Sequence, residues 1–296
     1  YYYFQGTNED SVIHYTNKVK EFAKATHQPK YYYFAWANRL ITYYLKTSRT
    51  NIALYEVQNM LKEAQEEDDK TGLSRCYNIM SQIYTIKRFD SMAFEWRLKE
   101  IELTEKYKIE NYNISQTYAQ IANYYINQKK QKEALAAVEK AIATANSSTQ
   151  QISAKLEFVN YYSKFGDFQA AEKLLKECQA AFEQDKRLES IKKRLYNIEC
   201  LYYQQTKQYQ KALEAAKMQE KEERRLSESI LSSIHYRTQG EIYQKMGNMN
   251  LAVKYLQMYI NADDSLKIAN EQVSSSEFAT LLNVEKLNAE KKELML

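Results

Sequence analysis

The chain has 296 residues, 44% of them hydrophobic, 27% charged, and a formal net charge of +4. That is enough apolar material for a sizeable core or several stacked small ones, and 5 Gly with 1 Pro suit long helices joined by short turns and suit a β-sandwich badly. Acids and bases are interleaved and the basic runs (Lys129, Lys130 and Lys132; Arg224 and Arg225) are short, so they read as solvated helix faces and nucleic-acid binding is not expected of this chain.

Residues 1–6 are set aside as the remnant of an expression tag, because Tyr3-Phe4-Gln5-Gly6 matches the end of a common protease cleavage sequence. Residues 7–30 follow as an N-terminal capping helix, with Val12, Ile13, Val19, Phe22 and Ala23 on its apolar side and Pro29 beyond its end. The next segment, residues 31–265, is periodic. A tyrosine is followed nine residues later by an alanine six times: Tyr44/Ala53, Tyr84/Ala93, Tyr125/Ala134, Tyr162/Ala171, Tyr203/Ala212 and Tyr243/Ala252. The alanines are 40, 41, 37, 41 and 40 residues apart. A fixed period of this size marks a repeat protein.

Within each repeat an aromatic, a small residue and the tyrosine stand at i, i+4 and i+7, as in Tyr77-Ser81-Tyr84, Tyr118-Ala122-Tyr125, Tyr196-Cys200-Tyr203 and Tyr236-Gly240-Tyr243. Ala37-Ile41-Tyr44 and Lys155-Val159-Tyr162 are looser versions. This spacing puts all three on one helical face. The small residue between two larger ones leaves a hollow for a partner helix. A polar stretch follows, clearest as a turn at Gly166-Asp167 and Gly247-Asn248. The alanine then opens a second helix whose apolar face continues through Val57 and Met60, Val138 and Ala141, Leu175 and Cys178, or Leu256 and Tyr259. Each unit is helix–turn–helix, and neither helix can hide its apolar stripe alone, so consecutive units must stack.

The arrangement aromatic–small–Tyr, turn, Ala resembles the tetratricopeptide repeat. Tyr236 to Tyr259 carries the fullest match, and Gly166-Asp167-Phe168-Gln169-Ala170-Ala171-Glu172 the next. The period exceeds the usual ~34 residues, which calls for longer helices or longer turns between repeats. HEAT repeats run at about this period, but the hollow and the Tyr-to-Ala spacing favour the tetratricopeptide type. The fold implied is all-α: an α-α superhelix, a solenoid of about six helix-turn-helix repeats, with the capping helix before it and a long C-terminal helix after it. Residues 266–296 form that helix, a connector with the narrow apolar stripe Leu281, Val284, Leu287 and Leu294. It stops without a Gly or Pro closure and is expected to continue beyond Leu296. Ser276 to Leu287 and the Glu/Lys-rich stretch after it resemble the region following the repeats in Bacteroidetes membrane sensor histidine kinases and related transcriptional regulators. That resemblance implies an extracytoplasmic, periplasmic sensor domain signalling through the terminal helix, with the membrane segment outside this chain and a homodimer formed through that helix. The alternative is a soluble cytoplasmic adaptor or peptide receptor.

Chemistry has few footholds. His14, His27 and His235 are not at metal-ligand spacing, no glycine-rich phosphate loop exists, and Glu66-Glu67 and Asp68-Asp69 read as a solvated turn. No catalytic residue, metal or cofactor is expected, and the reading is a non-enzyme. Cys76, Cys178 and Cys200 form neither a disulfide framework nor a zinc site and read as small buried hydrophobes. A Cys178–Cys200 pairing across neighbouring repeats stays open. The binding surface expected is the concave groove beside the tyrosine face of the first helices, taking a protein or peptide ligand. Its candidates are Asn38, Arg75, Asn78, Gln82, Asn123, Asn160, Arg194, Asn197, Arg237 and Gln244, with Thr42, Gln116, Gln204 and Glu241 beside them. Amides both donate and accept and so suit a peptide backbone, and arginines suit a carboxylate. In the doublets Tyr43-Tyr44, Tyr124-Tyr125, Tyr161-Tyr162 and Tyr202-Tyr203, one ring is expected in the core and the other at the seam between repeats or the groove edge.

Overall fold

The structure is a computed structural model that describes residues 8–226, 233–265, 267–268, 271–272 and 274. The described residues are helical, with no strand among them. Helix α1 is Glu9–Ala25. Helix α2 runs continuously through Pro29–Ala35, a π-helical turn Trp36–Ile41, and Thr42–Lys46. Then come α3 (Thr50–Glu66), α4 (Lys70–Ile86), α5 (Asp90–Tyr107), α6 (Ile114–Asn127), α7 (Gln131–Ala143), α8 (Ser148–Phe165) and α9 (Phe168–Gln184). A 3-10 turn Lys186–Ile191 leads into α10 (Lys192–Gln205), followed by α11 (Tyr209–Leu226), α12 (Ile234–Lys245) and α13 (249–265). The even-numbered helices from α2 carry the repeat tyrosines and are the first helices of the six repeats. The odd-numbered ones from α3 carry the alanines. Helices of 17 or 18 residues, as in α3, α4, α5, α8, α9 and α11, supply the long period.

The nine-residue spacing from tyrosine to alanine has a backbone cause. Four residues after each tyrosine the chain enters the left-handed region, at Ser48, Arg88, Lys129, Gly166, Lys207 and Gly247, with φ between 51° and 92° for all such positions in the chain. The next N–H then donates to the tyrosine carbonyl: Arg49, Phe89, Lys130, Asp167, Gln208 and Asn248 do so at 2.8–2.9 Å. This is the six-to-one bond of a Schellman cap. The carbonyl of that same residue accepts the first bond of the next helix, from the N–H of Ala53, Ala93, Ala134, Ala171, Ala212 or Ala252. Five residues plus four gives nine in every repeat, with or without a glycine at the bend. Each of these alanines is buried.

The chain divides into two compact units, with the break between Asn111 and Tyr112. In the first unit, α1 is capped by Asn8, whose side chain accepts from Asp10 N–H. It docks on α2 by placing Lys20 Nζ 3.3 Å from the centre of the Trp36 ring and 4.8 Å from that of Tyr32. Burial pulls the Lys20 ammonium below its ordinary pKa, and the ring faces offset part of that cost. Trp36 Nε1 donates to Glu56 and Tyr32 Oη to Glu63. Ile41, Val57, Met60 and Ile83 lie at the centre of this unit's core. Asn51 Nδ2 donates to Ser274 Oγ, which groups with this unit.

The second unit covers Tyr112–Lys267. Its cores hold Leu156, Val159, Leu175 and Ile198 in one cluster and Ala212, Leu213, Ile242 and Tyr243 in another. The hollow expected at the small residue is real. A Cβ on Gly240 would stand 2.9 Å from Leu256 Cγ and 3.3 Å from the Leu256 backbone nitrogen. Cys178 and Cys200 are free thiols lodged in the two different clusters, and Cys76 is free and buried as well. Of the tyrosine doublets, Tyr44, Tyr161 and Tyr202 are buried and their neighbours half-buried, while Tyr124 and Tyr125 are both half-buried. The tag remnant 1–6 and the stripe Leu281, Val284, Leu287 and Leu294 of the expected terminal helix lie outside the described residues, as do the side chains of Arg224 and Arg225.

Candidate functional site

Counted back from the repeat tyrosine, positions nine, six and two residues earlier form one stripe on each first helix. In the first unit that stripe carries Asn38 on α2 and Arg75, Asn78 and Gln82 on α4. Asn38 is exposed within the π turn. Arg75 is half-buried, with its guanidinium carbon 5.4 Å from the centre of the Phe34 ring. Asn78 Nδ2 lies 3.2 Å from both carboxylate oxygens of Glu100, and Gln82 Nε2 donates to Asn78 Oδ1 at 2.6 Å. Gln82 itself is exposed. Asn111 adds a third amide bond to Glu100 at 2.8 Å.

In the second unit the stripe carries Asn123 on α6, Asn160 on α8, Arg194 and Asn197 on α10, and Arg237 with Glu241 on α12. Asn123 is half-buried and accepts from Asn127 at 3.1 Å. Arg194 Nη2 donates to Glu157 Oε1 at 2.5 Å, and the buried Asn160 donates to Glu157 Oε2 at 3.4 Å. Asn197 is half-buried; Arg237, exposed, pairs with Glu241 at 2.8 Å; Gln244 is exposed.

The structure therefore sorts the candidates by what already holds them. Asn78, Asn160 and Arg194 are engaged by carboxylates of the protein itself, Glu100 and Glu157, which are 1% and 3% exposed. Asn38, Gln82, Arg237 and Gln244 stay at the surface. The two buried acids were absent from the sequence candidates. Each had a signal. Arg97 and Glu100 stand four and seven residues after Ala93, where α3 has Val57 and Met60 and α7 has Val138 and Ala141. A charge in the inward stripe needs a partner, and here Arg97 donates to Thr85 at 2.6 Å while Glu100 collects amides. Near the last repeat, His235 and Gln239 are also buried, against Glu223 at 2.5 Å and Glu220 at 2.7 Å.

Among the described residues no group of three or more His, Cys, Asp and Glu could hold a metal ion. No described helix is long and apolar enough to cross a membrane.

No protein-family model matches the sequence, and no curated protein matches it. Solved structures do match in fold. NprR, solved in complex with its cognate peptide NprX, superposes with a TM-score of 0.61 at 14% identity, over 92% of this chain and 79% of that one. A Rap protein complexed with Competence and Sporulation Factor gives 0.55 at 17% identity, over 88% and 76%. A tetratricopeptide repeat protein from Parabacteroides merdae gives 0.53 at 12% identity, over 91% and 98%. At these identities the likeness is one of fold, and with the six identical turns it makes the chain an all-α protein of tetratricopeptide-repeat fold.

Proposed function

We propose that this chain is a non-catalytic binding domain that takes a peptide, or an extended segment of a partner protein, along the polar stripe of its first helices. The carrying observation is that each unit leaves polar groups of its first helices at the surface: Asn38 and Gln82 in one unit, Arg237 and Gln244 in the other. The Asn38 and Gln244 amides both donate and accept and so suit a peptide backbone, whereas Gln82 and Arg237 would exchange the bonds they make to Asn78 and Glu241. The reading is supported by NprR and the Rap protein, which were solved with NprX and with Competence and Sporulation Factor. The test is fluorescence polarisation of fluorescein-labelled random octapeptide pools. Binding is expected, and Gln82→Ala or Gln244→Ala weakens it several-fold. Binding left unchanged by Gln82→Ala, Gln244→Ala and Asn38→Ala together would remove this face from the proposal.

The finer proposal is a periplasmic sensor domain of a membrane histidine kinase or related regulator, relaying through residues 266–296 and dimerising there. It rests on the resemblance of Ser276 to Leu287 and the charged stretch that follows. The gene downstream of the Leu296 codon tests it: an apolar run of about 20 codons supports the sensor, whereas an immediate stop codon leaves a soluble cytoplasmic adaptor.

A further inference from the structure

Arg75 and Arg194 occupy the same place in repeats two and five, nine residues before Tyr84 and Tyr203. Their surroundings differ in one decisive respect. Arg194 meets the carboxylate of Glu157, which the first helix of the preceding repeat supplies from the position five before its tyrosine. In the first unit that position, five before Tyr44, is Arg39. The acid is replaced by a second cation. Arg75 accordingly has no ion pair among the described residues, whereas the Nε atoms of both arginines are buried without a hydrogen-bond partner. The Arg75 guanidinium lies against the Phe34 ring. An aromatic face lowers the cost of holding a cation out of water but accepts none of its N–H donors in a bidentate way. Burial alone pulls the Arg75 guanidinium below its ordinary pKa.

A half-buried guanidinium without a counter-ion is costly to keep, whereas its equivalent in the same fold is neutralised from within. We propose that Arg75 is an anion subsite of the peptide-binding face, completed by a carboxylate of the ligand as Glu157 completes Arg194. The inference rests on the peptide-binding reading for its ligand, but the subsite itself can be tested without it. Exposed Asn38 and Gln82 lie on the same stripe and flank it for the peptide backbone.

The first measurement is a sodium acetate titration of the full chain followed at the Arg75 Nε–Hε NMR resonance, assigned by its loss in Arg75→Lys, at constant ionic strength set with chloride. A saturable shift is expected. A response no larger than that of the exposed Arg187 overturns the subsite, whatever becomes of peptide binding. The second measurement uses octapeptide pools in pairs, one with Asp fixed at a single position and one with Asn there, each made as free acid and as C-terminal amide. A charge-assisted, two-pronged contact contributes about 10- to 100-fold in affinity. The expected result is that Asp-bearing or free-acid pools bind that much better than their neutral twins and that Arg75→Gln erases the difference. Preference for the fixed Asp places the carboxylate on a side chain; preference for the free acid places it at the peptide terminus. Equal binding of charged and neutral pools, unaffected by Arg75→Gln, overturns the assignment of the ligand carboxylate to Arg75. A saturable acetate shift with no pool bound refutes the peptide-binding reading and, with it, the proposed ligand. Arg75→Met keeps the test independent of folding defects, because removing an uncompensated cation is expected to leave the melting temperature unchanged or raised.

Discussion

Replacing Arg194 by methionine should destabilise the second unit more than any other single substitution on the stripe. The side chain of Glu157 is 4% exposed and that of Arg194 26%. Without the guanidinium, the carboxylate retains the Asn160 amide at 3.4 Å as its one remaining hydrogen bond among the described residues, in a site flanked by the core residues Leu156 and Val159. Breaking a buried pair from one side costs about 3–5 kcal/mol. A quarter of the arginine surface is open to water, which places the expected loss near the lower end, about 3 kcal/mol. The double variant Glu157→Leu with Arg194→Met removes both charges and should return to within about 1 kcal/mol of the parent, recovering roughly 2 kcal/mol of the loss. Urea denaturation followed by circular dichroism measures all three, with Arg75→Met as the comparison expected to show no loss. A loss below about 1 kcal/mol for Arg194→Met, or a double variant as unstable as the single, would refute the view that the pair is held by mutual neutralisation in a dry site.

Gly240→Ala should cost about 1–2 kcal/mol by thermal melting, because the new Cβ meets the Leu256 backbone nitrogen, which cannot move aside, and this outweighs the gain in helix propensity. Gly166→Ala, at φ 92° in open space, should cost about 1 kcal/mol from backbone conformation alone, measured the same way. Asp185 accepts hydrogen bonds from the Arg187 side chain and backbone and from Ser148, which together hold its carboxyl down at about 2. A depressed native value means that this contribution is complete above the unfolded pKa of about 4 and is lost as pH falls toward 2. Asp185→Asn should flatten that part of the acid-denaturation curve. Burial pushes the Cys76 thiol up to about 12 and the Cys178 thiol up to about 11, so a thiol reagent at pH 8 should label neither in the native protein and both in urea.

The repeat was readable from the sequence because its spacing is enforced by backbone hydrogen bonds, which any residue can make. Glycine marks only two of the six bends, yet Ser48, Arg88, Lys129 and Lys207 adopt the same conformation. The hollow at Gly240 and the burial of Val57, Met60, Val138 and Leu175 follow from helical periodicity and were legible for the same reason. The π turn Trp36–Ile41 was not, since nothing in its local composition interrupts a helix. The stripe itself was legible, but not which of its members are already engaged. Glu157 reaches Arg194 across 37 residues and Glu100 reaches Asn78 across 22, from other helices. A charge on a polar-looking face announces its partner only when the neighbouring helix is in place.

The hydrogen-bonded turn also determines where this chain can change length. From tyrosine to alanine the count is nine in all six repeats, while from each alanine to the next tyrosine it is 31, 32, 28, 32 and 31. All drift in period falls outside the bend, in the ends of the second helices and the connections after them. A residue inserted between Tyr84 and Ala93 would leave two backbone bonds without their acceptors, whereas residues 109–113 already form an irregular link. Reporter groups, protease sites or foreign loops belong in that link, and chimaeric arrays should be joined there and never within a bend.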